Sequence, residues 1–210
     1  MPKIKMPRSS PALDMTPMVD LAFLLVTFFM LTAQFRPEEA VAVDTPSSMS
    51  QQPIPTENLM TIIVDSAGRV FWDFTDKKVR SEVIREMAKR YKFQLSEDQI
   101  VRFTNLNAIG IPAQQLPAYL DLNSPTERKE VDKQSRGIPY DDANNQLLDW
   151  IRVTQLIFSS GAEGRNPLVA LKGDGNANYS TVNQVIKIFQ GPTVKINRFK
   201  MITDLEESRM

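Results

Sequence analysis

Apolar residues crowd into one unbroken run near the start of the chain and fall into short periodic segments after it. Residues 15–33 read MTPMVDLAFLLVTFFMLTA, 19 positions with one ionisable side chain, Asp20. A helix needs ~20 such residues to span ~30 Å of hydrocarbon. The run therefore predicts a transmembrane helix over 15–35. Thr16 and Pro17 form a start signal, because threonine caps free N–H groups and proline fits the first helical turn. Arg36-Pro37 forms a stop signal, because a residue before proline disfavours helix. A cleavable leader would need a shorter apolar region and a small-x-small cleavage site. The run ends in FFMLTAQF and lacks that site, so it reads as an uncleaved anchor.

The polar stretch at 36–57 is rich in Pro, Ser, Thr and Glu and predicts an extended linker. A folded domain is expected over 58–210. Residues 58–65 (NLMTIIVD) and 70–74 read as strands around a Ser66-Ala67-Gly68-Arg69 turn. Residues 81–91 (SEVIREMAKRY) follow a helical period, with Val83, Ile84, Met87, Ala88 and Tyr91 on one side and Ser81 as its cap. Residues 145–158 repeat that period. A strand at 167–172, a helix at 181–189 and a strand at 198–203 complete the pattern. The order hairpin, helix, strand, helix, strand predicts a small α+β fold.

Residues 92–144 break the pattern. Pro112, Pro117, Pro125 and Pro139 divide them, with partial helix expected at 121–136. A compact domain seldom holds so long a connection without structure of its own. It reads as an irregular, partly helical insertion, packed on the core or hanging from it.

Composition narrows the function classes. The 210 residues carry 25 basic and 25 acidic side chains, with no histidine and no cysteine. That balance gives no reason to expect nucleic acid as a partner. Thiolate chemistry, disulfides and Ser-His pairs are excluded. Gly173-x-Gly175 lacks the Gly-Lys-Ser/Thr ending of a phosphate loop and reads as a turn. Asp141-Asp142 reads as helix-cap residues rather than a metal pair. No cofactor and no metal are expected. Lys3, Lys5 and Arg8 precede the apolar run, which places residues 1–14 in the cytoplasm and the domain outside.

Asp20 changes the picture of an anchor. A carboxylate at mid-membrane costs roughly 2.5–3.5 kcal/mol even on lenient scales, so an ionisable group there is by default a functional one. At ~1.5 Å per residue it lies roughly 9 Å along the helix from its start. Thr16, Thr27 and Gln34 share its face at helical spacing. A polar stripe on a spanning helix should face other helices or water, and one span implies helices from other subunits. A plainer reading puts Asp20 near the interface, where it complements the helix dipole. That reading leaves Thr27 and Gln34 unexplained.

A basic N-terminus, Thr16-Pro17-x-x-Asp20, the Leu/Phe-rich LAFLLVTFFMLT with Phe29-Met30, and Val43-Asp44-Thr45-Pro46-Ser47-Ser48 after it resemble the ExbD/TolR family of biopolymer transport proteins. Thr45 stands where that family usually has Leu. The insertion at 92–144 has no counterpart in its short members. The resemblance implies a single-pass protein of the bacterial inner membrane, with a periplasmic α+β domain and no enzymatic activity. It implies a homodimer seated in a ring of ExbB/TolQ-like subunits in the bilayer, working with a TonB-like protein. Asp20 would then bind and release protons that flow down the gradient, as in a proton channel driven by the proton motive force. Val43, Asp44, Pro46 and Ser47 would form the family's periplasmic linker motif. The alternative is a membrane-anchored periplasmic binding or scaffold protein, Tol-type or cell-wall-associated, without proton translocation.

Overall fold

The computed structural model describes residues 15–32, 43–45, 47–48, 57–122, 124–161, 166–202 and 204–205. The chain divides into two units, residues 1–37 and 38–210. The first contributes one described helix, α1 (Thr16–Thr32). Residues 33–35 of the expected span, Gln34 among them, lie outside the described residues, as do 1–14 and Pro46. Among the described residues no helix is long and apolar enough to cross a membrane.

The second unit is an α+β domain. Its strands are β1 (Ser47–Ser48), β2 (Leu59–Val64), β3 (Val70–Phe74), β4 (Tyr140–Asp141), β5 (Asn144–Asn145), β6 (Leu168–Gly173), β7 (Lys200–Ile202) and β8 (Asp204–Leu205). Its helices are α2 (Lys77–Tyr91), α3 (Glu97–Asn105), α4 (Leu116–Asp121), α5 (Pro125–Gln134), α6 (Gln146–Ser160) and α7 (Tyr179–Gln190), with a 3-10 turn at Ala113–Gln115 before α4. The main sheet runs in the order β3-β2-β6-β7. The β2–β3 hairpin is antiparallel, while β2–β6 and β6–β7 are parallel. Alternation along the strands sends Met60, Ile62, Val64, Val70, Trp72, Phe74, Val169 and Leu171 into one core. There they meet Val83, Ile84 and Met87 of α2, Leu147, Trp150 and Ile151 of α6, and Val185 and Phe189 of α7. Periodic apolar stripes on three helices thus cover one face of the sheet.

Two sequence expectations are corrected. Helix α2 begins at Lys77, and Asp76 is its cap, its carboxylate accepting from the Lys78 N–H at 2.7 Å. Ser81 sits inside the helix and donates to Lys78 O at 2.7 Å. The Lys-Lys-Val-Arg segment before Ser81 has good helix propensity, so the helix extends back to the first residue that can cap it. Asp141 and Asp142 lie in the β4–β5 hairpin, and the cap of α6 is Asn145, which accepts from Leu148 N–H at 2.9 Å.

The insertion packs on the core and closes the outer edge of β3. An exposed strand edge presents unpaired N–H and C=O groups that invite further pairing. Here Trp72 N–H donates to Ile109 O at 2.8 Å and Ile109 N–H returns to Trp72 O at 2.7 Å. Ile138 N–H donates to Val70 O at 2.8 Å. Arg80 reaches Phe74 O at 3.2 Å. Two glycines permit the close approach. A Cβ on Gly110 would lie 2.1 Å from the Phe71 ring, and one on Gly137, at φ +79, would lie 2.6 Å from Val70 N. Ile100, Phe103, Ile111, Leu116 and Leu120 of the insertion are buried in the same core.

Arg80 joins insertion and core. Its side chain is 4% exposed. One amino group binds the Asp73 carboxylate, and the other donates to Phe103 O at 3.2 Å and Asn107 O at 2.7 Å. The guanidinium lies 5.7 Å from the Trp72 ring centroid and 5.4 Å from that of Phe103. Burial holds its pKa below the ordinary value, against the raising effect of Asp73.

Candidate functional site

In α1 Thr16 is the first helical residue rather than a residue before the helix. The helix opens at Thr16 with Pro17 next, where a missing N–H costs nothing. None of its residues is buried. Its apolar side chains run from 51% exposed at Leu25 to 88% at Leu31. Such a surface in water would be strongly unfavourable at about 25 cal/mol per Å². The helix is therefore built for surroundings that these described residues do not supply.

Asp20 is the one ionisable residue of that helix. At 100° per residue, Thr16, Asp20 and Thr27 fall within about 40° of one another, so the structure keeps these three on one face. Asp20 and Thr27 are about 10 Å apart along the axis at ~1.5 Å per residue. The Thr27 hydroxyl lies 2.9 Å from both Phe23 O and Leu24 O and donates within its own helix. That bond spares the hydroxyl an unmatched donor in apolar surroundings. Its oxygen keeps lone pairs for a second partner. Gln34, the fourth member of the stripe, lies outside the described residues.

The linker motif is held to the domain rather than running free of it. Asp44 N–H donates to an Asp174 carboxylate oxygen at 3.2 Å, and Gly175 N–H donates to Asp44 O at 2.7 Å. Asp174 also accepts from Asn176 N–H at 2.8 Å, so one carboxylate shapes the turn after β6 and grips the linker. Ser47 pairs with Asp204 in the parallel β1–β8 ladder. Val43 is half-buried. The Gly173-x-Gly175 segment is thus a turn with a linker contact.

Two charged groups in the domain escaped the sequence reading. Asp132 of α5 is buried and accepts from the Tyr119 hydroxyl at 3.0 Å. Burial pushes the Asp132 carboxyl up, against the lowering effects of Tyr119, Arg69 and Arg128. Burial pushes the Tyr119 phenol up as well, and Asp132 adds to it. Arg69 docks the end of α5 by donating to Asp132 O at 2.7 Å and Lys133 O at 3.0 Å, while its Nε holds Asp65 at 2.6 Å. A cation at the last carbonyls of a helix complements its dipole. Arg80 is the second case. Its signal was present, since Arg80 precedes Val83, Ile84 and Met87 by three, four and seven residues and so lies on the apolar face of α2. Among the described residues no group of three acidic side chains is placed to hold a metal ion.

A family model described as Biopolymer transport protein ExbD/TolR matches residues 6–203. No curated protein and no solved structure matches the chain.

Proposed function

The chain belongs to the ExbD/TolR family of biopolymer transport proteins, and from that premise we propose that it is the proton-motive-force-coupled stator subunit of an ExbB–ExbD-type complex. Membership carries a role in energy transduction for biopolymer transport, beside ExbB/TolQ-type partners at the inner membrane. The finer reading is that residues 15–35 cross that membrane once, with 1–14 in the cytoplasm and the α+β domain in the periplasm. Two copies work inside a ring of partner subunits, and a TonB-like protein carries the work to outer-membrane transport.

Asp20 carries this reading. It is the one ionisable group on a helix whose remaining residues are uncharged and whose every face is exposed. An ionised carboxyl is costly in hydrocarbon. Neutral Asp20 costs far less to pack among apolar helices than ionised Asp20, which needs water or a strong hydrogen-bonding partner. Each proton that crosses 100 mV releases ~2.3 kcal/mol, enough to drive a change in helix packing if protonation alternates. Thr16, Thr27 and Gln34 line the same face and position water or the partner's polar groups beside the carboxyl. Pro17 sets the helix start that fixes Asp20 in depth. Val43, Asp44, Pro46 and Ser47 transmit the motion to the domain.

The Asp20→Asn variant tests this, because it keeps shape and polarity but cannot titrate. Energy-dependent outer-membrane uptake should fall to the level of cells lacking the subunit, while the variant still co-purifies with its ring partner. Full uptake with normal assembly would refute the proton role and leave the anchored-scaffold reading.

A further inference from the structure

We propose that the groove at the start of β6 is a binding site for an acidic peptide segment. The groove encloses about 310 Å³, within the range of ligand sites. Pro167, Val169 and Ile196 form its apolar floor, and each is buried. Three amide side chains, Gln155, Asn166 and Asn197, and two cations, Lys195 and Arg198, stand around that floor.

The two cations are open to a ligand. Arg69, Arg80, Arg85, Lys89 and Arg90 each hold an acidic side chain. Among the described residues the side chains of Lys195 and Arg198 hold none, and both are exposed. Lys195 also sits at φ +53, a left-handed conformation that few non-glycine residues adopt. Its N–H donates to Gly191 O at 3.0 Å, which fixes the bend. Residues held this way gather at binding sites. Gln155 donates to Val194 O at 3.3 Å, which ties α6 to the segment bearing both cations.

The mixture of groups selects the ligand. Two cations three residues apart recognise carboxylates. Amide side chains offer donors and acceptors together, which suits the N–H and C=O groups of an extended peptide. The floor takes one apolar side chain. Inorganic phosphate would engage the cations alone and leave the floor and the amide oxygens without partners. The site lies in the folded domain, and the proposal does not rest on the proton reading.

The test uses the full chain in nanodiscs and a labelled peptide, acetyl-Ala-Glu-Leu-Glu-Ala-amide, followed by fluorescence anisotropy. Its Gln-for-Glu twin and inorganic phosphate serve as competitors. The acidic peptide should bind, weaken as salt rises, and outcompete the twin by at least tenfold. The Lys195→Asn/Arg198→Gln pair should bind at least tenfold more weakly with an unchanged circular dichroism spectrum. Asn tolerates the left-handed backbone at 195, so the pair removes charge without adding strain. The Asp20→Asn variant should bind as wild type does. Absence of binding, equal binding of the twin, an unaffected double variant, or displacement by phosphate at equal concentration would each overturn the proposal.

Discussion

Removing Arg80 should detach the insertion before the sheet melts. Arg80→Ala deletes donors to Phe74 O, Phe103 O and Asn107 O and leaves Asp73 without its partner. A buried polar group left unsatisfied costs about 1–3 kcal/mol. Breaking a buried charge pair from one side costs about 3–5 kcal/mol in all. The Asp73 side chain is 32% exposed and can rehydrate, so the carbonyls dominate the cost. We expect a loss of about 3–5 kcal/mol for Arg80→Ala and about 1 kcal/mol or less for Asp73→Asn. Urea unfolding followed by tryptophan fluorescence reads this directly. The chain has two tryptophans, and Trp72 and Trp150 pack with ring centroids 5.0 Å apart beside Phe103. Hydrogen exchange at Ile109 and Ile138 should speed up at urea concentrations where Met60 and Ile62 stay protected. Equal costs for the two variants, or a loss under about 1 kcal/mol for Arg80→Ala, would refute the carbonyl-ligand reasoning.

Asp132→Asn should raise the melting temperature at pH 7. Burial raises the carboxyl's folded-state pKa, so the wild-type contribution is fully present below the ordinary carboxylate range and is lost as pH rises through the raised value. The advantage of Asn should shrink as pH falls toward 4, and an advantage constant with pH would contradict this. Gly110→Ala places a methyl 2.1 Å from the Phe71 ring and should cost about 1–3 kcal/mol in urea unfolding; a neutral effect would show that the insertion is free to shift. Asp174→Ala removes one of two linker bonds and should speed hydrogen exchange at Asp44 several-fold with little change in global stability. Unchanged exchange at Asp44 would mean that the Gly175 bond alone holds Asp44.

Periodicity made the sheet and three of its helices legible, because each carries one apolar face. The strands at β2, β3 and β6 and the helices α6 and α7 fall within two or three residues of their expected bounds. Of the insertion only the helix α5, inside the expected 121–136, was legible. Ile109, Gly110 and Ile111 have no period to read, since Ile109 caps a strand edge and Gly110 lies against the Phe71 ring. Their role depends on β3 lying beside them, which a local pattern does not encode. The Asp44–Asp174 contact joins residues 130 apart, and neither residue differs locally from an ordinary linker or turn aspartate. Arg80 fell outside the expected helix at 81–91, although it shares a face with Val83 and Met87. Asp20, by contrast, was legible at once, because a charge in an apolar run stands out without any tertiary knowledge.

On the proposed function, Asp20 changes protonation within the assembled complex. Infrared difference spectroscopy on the chain with its ring partner in lipid bilayers, titrated across pH, tests it most directly. The expected result is a protonated-carboxyl component that is present in the wild type, disappears as pH rises, and is missing from the spectrum of Asp20→Asn at the same pH. Identical carboxyl spectra for the two proteins at every pH would contradict it.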